Sequence, residues 1–104
     1  VHNLCGKTSL PNLYEVMKNS ECVIATDSGS VHVAGVSCKK VISLHGPTPF
    51  EETGPYGNSK NEIIEANLKM SCSPCYNTSR ITSCPENKCM IELSPDRILA
   101  YILK

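Results

Sequence analysis

Residues 22–34, CVIATDSGSVHVA, constrain the fold of this chain more than any other stretch. Their first part, CVIAT at 22–26, is a short apolar run that ends in polar turn residues and predicts a buried strand. The pattern breaks over 26–30, and apolar residues then recur at a helical spacing, which predicts a short helix at 30–36. A strand that passes through a small-residue turn directly into a helix indicates an α/β fold.

The turn between this strand and helix has the composition of an anion site. A helix N-terminus carries about half a positive charge and presents free N–H groups, so it binds phosphate readily. Gly29 lets the backbone take a positive φ or approach a ligand closely, and Ser28 and Ser30 can cap the helix or donate hydroxyls to an anion. Asp27 lies at the carboxyl end of the strand, where open α/β sheets bind ligands. An ordinary capped turn without a ligand, with His32 packed or solvated, fits the same residues.

The rest of the chain alternates strand and helix patterns, which predicts a parallel sheet with crossover helices. A helix begins after Thr8 or Ser9 and ends near residue 19. Strands are predicted at 41–44 and 62–66, and Ser94 with Pro95 opens a terminal helix at 94–103. Residues 45–57 are rich in proline and glycine and predict one long loop at the same sheet edge as Asp27.

Length and composition narrow the class of protein. The chain has 104 residues, enough for one small domain, and its ten basic and ten acidic residues argue against an electrostatic nucleic-acid binder. One Phe and no Trp leave a core of aliphatic side chains. No apolar run approaches the roughly 20 residues of a membrane span. Because the first residue is Val1 and the pattern starts midway, we expect a piece of a larger protein.

Four of the seven cysteines cluster as Cys72, Cys75, Cys84 and Cys89. Such a set, with one C-x2-C pair, can form a tetrahedral zinc site or disulfides. Reduced thiols packed in a loop are the simpler interpretation, and a reducing compartment disfavours disulfides. The spacing leaves the three alternatives open.

Several motifs occur in an order that resembles one known family: GKTSL at 6–10, TDSGSVHVA at 26–34, LHGPT at 44–48, TGPYG at 53–57, CSPC at 72–75 and SPDRIL at 94–99. Together they resemble the carboxyl-terminal half of the bacterial heptosyltransferases, glycosyltransferase family 9, and in particular the heptosyltransferase II branch. The resemblance implies that residues 1–104 are a fragment of the C-terminal, nucleotide-sugar-binding domain of a GT-B enzyme. That domain is a Rossmann-like parallel sheet, here with a cysteine-containing loop at 70–92 and the terminal helix at 94–103.

The resemblance also implies an activity. Family members transfer heptose from ADP-heptose to the lipopolysaccharide inner core with inversion and require no cofactor. The expected partners are therefore the nucleotide sugar and, through a domain outside this chain, the lipopolysaccharide acceptor. The expected location is the cytoplasm, with peripheral contact to the inner face of the inner membrane as an option. No catalytic residue is expected in this chain, because the family's base lies in the N-terminal domain, and the fragment alone should be inactive.

Residue by residue, the resemblance implies a binding site for the sugar donor. Asp27 would lie beside the sugar and diphosphate, and the N–H groups of Ser28, Gly29 and Ser30 would cradle the diphosphate. Thr8 would lie near the adenine and His32 near the turn or the phosphate, while Gly46 and Thr48 form a possible loop of the donor site. Two functions remain as alternatives: a four-cysteine zinc module, and a domain that binds the phosphate of another nucleotide.

Overall fold

A computed structural model describes residues 1–57 and 60–103 of the protein. Its elements are α1 Leu10–Lys18, β1 Val23–Thr26, α2 Gly29–Ser37, β2 Lys40–Leu44, α3 Phe50–Thr53, β3 Glu62–Ala66, α4 Arg80–Ser83, α5 Lys88–Ile91 and α6 Pro95–Ile102. The predicted strands and the three longer helices are confirmed to within about two residues at each end. Cys22 precedes β1 instead of opening it.

The three strands form one parallel sheet in the order β1-β2-β3. Val23 of β1 pairs with Val41 of β2, which pairs with Ile63 of β3. The connection from β1 to β2 contains α2, as parallel neighbours require a crossover. This small α/β architecture fits a Rossmann-like domain and confirms the predicted parallel sheet.

Side chains alternate between two cores on opposite faces of the sheet. Val41 faces α1 and α2, where it packs with a buried cluster made of Met17, Val31, Ala34 and Cys38. Ile42 points the other way and packs with Ala66 and with Ile98 of α6. Ile24, the partner of Ile42 in β1, remains 45% exposed, so α6 covers β2 and β3 more completely than β1.

The first helix begins as its sequence predicts. Ser9 is the N-cap, and its hydroxyl accepts a hydrogen bond from the Asn12 backbone N–H at 3.3 Å. Pro11 occupies the first turn, where a missing N–H costs nothing. Of the two predicted caps, Ser9 is therefore correct and Thr8 lies one residue outside.

The prediction of one continuous loop over 45–57 was wrong at its centre. Residues 50–53 form the single helical turn α3, with Pro49 at its N-cap and Gly54 after it. Pro49 is compatible with this position because a helix start needs no N–H there. Glu51 and Glu52 lie in its first turn, where carboxylates interact favourably with the positive end of a helix. The cysteine-containing loop at 70–92 likewise contains two four-residue helices, α4 and α5.

The end of this connection packs against α2. A β-carbon placed on Gly35 would lie 2.7 Å from the Tyr56 carbonyl oxygen and 2.8 Å from Cβ of Pro55. Gly35 therefore allows the backbone of residues 55–56 to touch the helix. Asn61 adds a hydrogen bond from its side chain to the Gly35 carbonyl. Across residues 1–57 and 60–103, no helix has the length and apolar character to span a membrane.

Candidate functional site

The turn after β1 presents the start of α2 at the carboxyl edge of the sheet. Ser28 is the N-cap residue, in extended conformation with φ −154° and ψ 178°. Its hydroxyl does not cap the helix; it lies 3.3 Å from the Thr26 carbonyl and 2.9 Å from the Ser30 hydroxyl. The first N–H groups of any helix have no intrahelical acceptor, so anion binding at this end stays a prediction that the geometry permits.

Gly29 opens α2 and is exposed to solvent. Among the described glycines only Gly6 has a positive φ, so Gly29 is not required for a left-handed backbone. A β-carbon on Gly29 would meet no atom within 4 Å. The first predicted reason for a glycine here, a positive φ, is therefore wrong. The second reason, close approach of a ligand to the backbone, stays a prediction.

Asp27 is joined to a residue 26 positions away. The hydroxyl of Thr53, at the end of α3, donates to the Asp27 carboxylate at 2.6 Å. Partial burial is the largest influence on the pKa of Asp27 and raises it. The hydrogen bonds from Thr53 and Thr48 and the nearby His45 and His32 together outweigh burial, so the net pKa lies below 3.8. The carboxylate is therefore ionised at neutral pH.

A buried histidine organises the loop after β2. His45 is fully buried, and its Nε2 lies 2.7 Å from the Ser43 hydroxyl. Its Nδ1 lies 3.2 Å from the Thr48 hydroxyl, and its ring meets Phe50 edge-on at 5.2 Å. Sequence reasoning did not single out His45, although a histidine directly after a buried strand is a signal that could have identified it.

These segments enclose what we call the strand-end site, an open cavity of about 180 Å³. It is lined by Thr26, Asp27, Leu44, Gly46, Pro47, Thr48 and Met90. The structure thus brings together three of the predicted donor-site residues, Asp27, Gly46 and Thr48. Ser28, Gly29 and Ser30 adjoin Asp27 along the chain. Met90, contributed by α5, was not predicted from the sequence.

The two remaining predicted residues, His32 and Thr8, do not line the strand-end site. His32 is exposed on the first turn of α2, and it contributes to the lowered pKa of Asp27. Thr8 lines a separate depression with residues such as Leu4, Leu13 and Val16, away from the strand-end site. Its role beside an adenine stays a prediction.

The four clustered cysteines surround a second cavity, here called the thiol cavity, of about 120 Å³. All four are free thiols. Cys84 is exposed, and backbone N–H groups of Glu86 and Asn87 lower its pKa. Cys89 is buried, and its pKa is raised, first by desolvation and then by Cys75, Cys72 and Cys84. Within the described part of the chain, no three His, Cys, Asp or Glu residues already stand where they could hold a metal ion.

Comparison with known proteins identifies relatives of the whole chain. The family model described as glycosyltransferase family 9 (heptosyltransferase) matches residues 1–84. Lipooligosaccharide heptosyltransferase 2 of Campylobacter jejuni serotype O:6 is 32% identical over 106 aligned residues, which cover 100% of this chain and 32% of that protein. The protein of the same name from Haemophilus influenzae is 34% identical over 68 residues, 64% of this chain and 20% of that protein.

A more distant relative is lipopolysaccharide heptosyltransferase 1 of Pseudomonas aeruginosa, 26% identical over 96 residues, 91% of this chain and 26% of that protein. The chain spans about a third of the length of the Campylobacter relatives that it matches. No solved structure matches it significantly.

Proposed function

The chain belongs to glycosyltransferase family 9, the heptosyltransferases, and resembles heptosyltransferase II; on this premise we propose that it binds the sugar donor of such an enzyme. The parent protein would transfer heptose from ADP-heptose to the lipopolysaccharide inner core. The observation that carries the proposal is the strand-end site, where the ionised Asp27 faces the loop after β2 and is followed directly in the chain by the start of α2.

The diphosphate would bind at the start of α2. This helix has nine residues, and its first N–H groups, from Ser28 to Ser30, face the sheet edge where α/β proteins bind ligands. The exposed Gly29 leaves room for a phosphate against the backbone, because no protein atom lies where its side chain would be. The paired hydroxyls of Ser28 and Ser30 are further hydrogen-bond donors to phosphate oxygens.

Asp27 would bind the sugar and not the phosphates. An ionised carboxylate repels a diphosphate, and two unit charges 4 Å apart interact by about 4 kcal/mol near a protein surface. The same carboxylate accepts hydrogen bonds from sugar hydroxyls without such a penalty. Thr53 holds one of its oxygens through the 2.6 Å hydrogen bond, which fixes the direction of the carboxylate.

Transfer with inversion would proceed by attack of an acceptor hydroxyl on the anomeric carbon. The bond from that carbon to the diphosphate oxygen breaks, ADP leaves, and a base removes the hydroxyl proton. The N–H groups at the start of α2 would stabilise the charge that develops on ADP; in one protease, removal of a single such hydrogen-bond donor costs about 10²–10³ in rate. We assign the base to the N-terminal domain of a GT-B parent, so that this part alone does not catalyse transfer and no cofactor is needed.

The strand-end site covers only part of a nucleotide sugar. Its volume of about 180 Å³ is below the roughly 300–1,000 Å³ of typical ligand pockets. The lipopolysaccharide acceptor would therefore be bound by the other domain, across a shared cleft. The expected location of such an enzyme is the cytoplasm, at or near the inner face of the inner membrane, and nucleic acid is not an expected partner.

Calorimetric titration of the full-length protein with ADP, GDP and UDP tests the proposal. We expect saturable binding that prefers ADP, and a loss of about tenfold or more in the variant Gly29→Val, or about 1.4 kcal/mol. Since Gly29 has open space around it, this variant should fold normally. The control is Ala100→Val, which adds bulk at an exposed position of α6. Unchanged ADP affinity in folded Gly29→Val would refute the phosphate site, and a preference for GDP or UDP would refute ADP-heptose.

A further inference from the structure

The thiol cavity is a second site that the proposed transfer reaction does not use. Its walls include Cys72, Cys75, Cys84 and Cys89, four sulfur atoms from two short stretches of chain. We propose that it binds one Zn²⁺ through four thiolates. The ion would be structural: it would fasten the segment 70–92 against the loop that follows β2.

The chemistry of the ligands favours zinc. Thiolates are soft ligands, and four of them in a tetrahedral set are typical of structural zinc sites. Mg²⁺ and Ca²⁺ require oxygen ligands, of which the cavity offers few beside its four thiols. Each cysteine releases its proton to solvent when its sulfur binds the metal, so binding requires no oxidant or reductant.

Two of the four cysteines contact the loop that follows β2. The backbone N–H of Cys75 donates to the Pro47 carbonyl at 2.9 Å. Cys89 is buried beside Gly46, where an added β-carbon would lie 2.8 Å from its sulfur. These contacts attach one cysteine of each pair to the loop after β2.

The other half of the site has room to adjust. As the thiols are placed, no three candidate ligands in residues 1–57 and 60–103 already hold a metal-binding arrangement. Zn–S bonds of about 2.3 Å must therefore draw the sulfurs inward. Cys84 is exposed and lies between two single-turn helices, α4 and α5, so this segment can move without disturbing a strand.

The sulfur of Cys84 accepts a hydrogen bond from the backbone. The backbone N–H of Asn87 donates to its sulfur at 3.4 Å. Asn87 adopts a left-handed conformation, with φ 49°. Such an outer-shell hydrogen bond to the sulfur is compatible with metal binding, because ligating groups commonly carry one.

The proposed ion would also support the strand-end site. Cys89 lines the thiol cavity, whereas the next residue, Met90, lines the strand-end site. The Ser73 hydroxyl donates to the Gly46 carbonyl from the cysteine side. Zinc would thus fix the wall between the two cavities, although it would lie outside the reaction itself.

The test is the metal content of the full-length protein, purified without a metal-binding tag under reducing conditions in zinc-replete medium. We expect one zinc per chain by elemental analysis. After a chelator has removed the zinc, added Co²⁺ should bind in its place. Its absorption spectrum should then show thiolate-to-metal charge transfer and the d–d bands of tetrahedral Co²⁺. Absence of zinc, or a disulfide between any two of the four cysteines, would overturn the proposal even if no variant folds.

Variants then identify the ligands. Cys84→Ser should weaken zinc binding by more than the 10–100-fold that loss of an outer-shell partner typically costs. Cys5→Ser is the matched control, because Cys5 is also an exposed free thiol but lies outside the cavity. Zinc bound equally well by both variants would contradict the assignment. Neither result depends on whether ADP binds.

Discussion

The strand-end site and the thiol cavity lie on two sides of one loop, residues 45–48, but they are held in different ways. Asp27 and His45 each follow a parallel strand, and the register of β1 on β2 sets their separation. The cysteines instead lie in a segment that contains only two four-residue helices and no strand. Non-local pairing positions the first set, while short turns and loop contacts position the second.

The two regions therefore differ in how much structural order the binding of a ligand would add. A side chain fixed by a sheet and by hydrogen bonds, such as Asp27 with Thr53, is preorganised before anything binds. Thiols on a loosely connected segment gain much of their order when a metal closes the site. We therefore expect nucleotide binding to leave the fold nearly unchanged and zinc binding to stabilise it.

The largest effect should follow from Ile42→Ala. Ile42 is fully buried at the centre of the sheet, and such truncations cost about 2–5 kcal/mol in the free energy of unfolding. The comparison is Ile91→Ala on α5, where the side chain is 72% exposed and the expected change is within about 0.5 kcal/mol. Chemical denaturation measures both. Equal losses would mean that the cysteine segment is as tightly folded as the sheet.

An intermediate effect should follow from Gly46→Val, which acts on both regions at once. A β-carbon on Gly46 would lie 2.7 Å from the Met90 sulfur and 2.8 Å from the Cys89 sulfur. We expect a loss of about 1–3 kcal/mol in stability, the usual cost of overpacking. ADP affinity and zinc content should fall together. The control is Gly29→Ala, which should keep its stability because a β-carbon at this position meets no atom. If Gly46→Val changes the binding of only one of the two ligands, ADP or zinc, the two cavities are independent.

The smallest effect should follow from Thr53→Val, which removes the hydrogen bond to Asp27. We expect a loss of about 1 kcal/mol at neutral pH, whereas Thr53→Ser should retain the bond and the stability. The pKa of Asp27 should rise, and NMR titration of its carboxyl group measures that change directly.

Acid titration of stability gives an independent readout of the same contact. The folded protein holds the pKa of Asp27 below its unfolded value, which is about 3.9. Its contribution to stability is therefore present above that value and is lost as pH falls through the folded pKa. Thr53→Val should reduce this acid-dependent loss. An unchanged titration would mean that the hydrogen bond does not set the ionisation.

Much of the fold follows from local sequence pattern, because periodicity and turn composition report on neighbours in the chain. Residues 62–66 show this well, since the predicted strand coincides with β3. The turn at Phe50–Thr53 was missed because proline and glycine on both sides resemble a loop, although Pro49 is compatible with a helix N-cap. The family resemblance predicts a donor site, which stays a prediction; the parallel strands bring three of its expected residues, Asp27, Gly46 and Thr48, to one cavity.

What could not be predicted depends on contacts between distant residues. Nothing local to Asp27 or Thr53 signals that their side chains meet across 26 positions. The spacing of the four cysteines likewise left open whether they share a cavity, because their convergence depends on how the segment 70–92 folds over Pro47. Met90 entered the strand-end site for the same reason.

The contact at Gly35 has a mechanical consequence for the turn at residues 27–30. From Asp27 the chain runs along α2 to Gly35, meets Pro55 there, and returns through Thr53 to the Asp27 carboxylate. These residues form a closed ring with two non-covalent joints. Movement at either of these two contacts is limited by the other contact. We therefore expect the start of α2 and the Asp27 carboxylate to open as one cooperative unit. Gly35, near the other end of α2, thus couples the start of this helix to the Asp27 carboxylate.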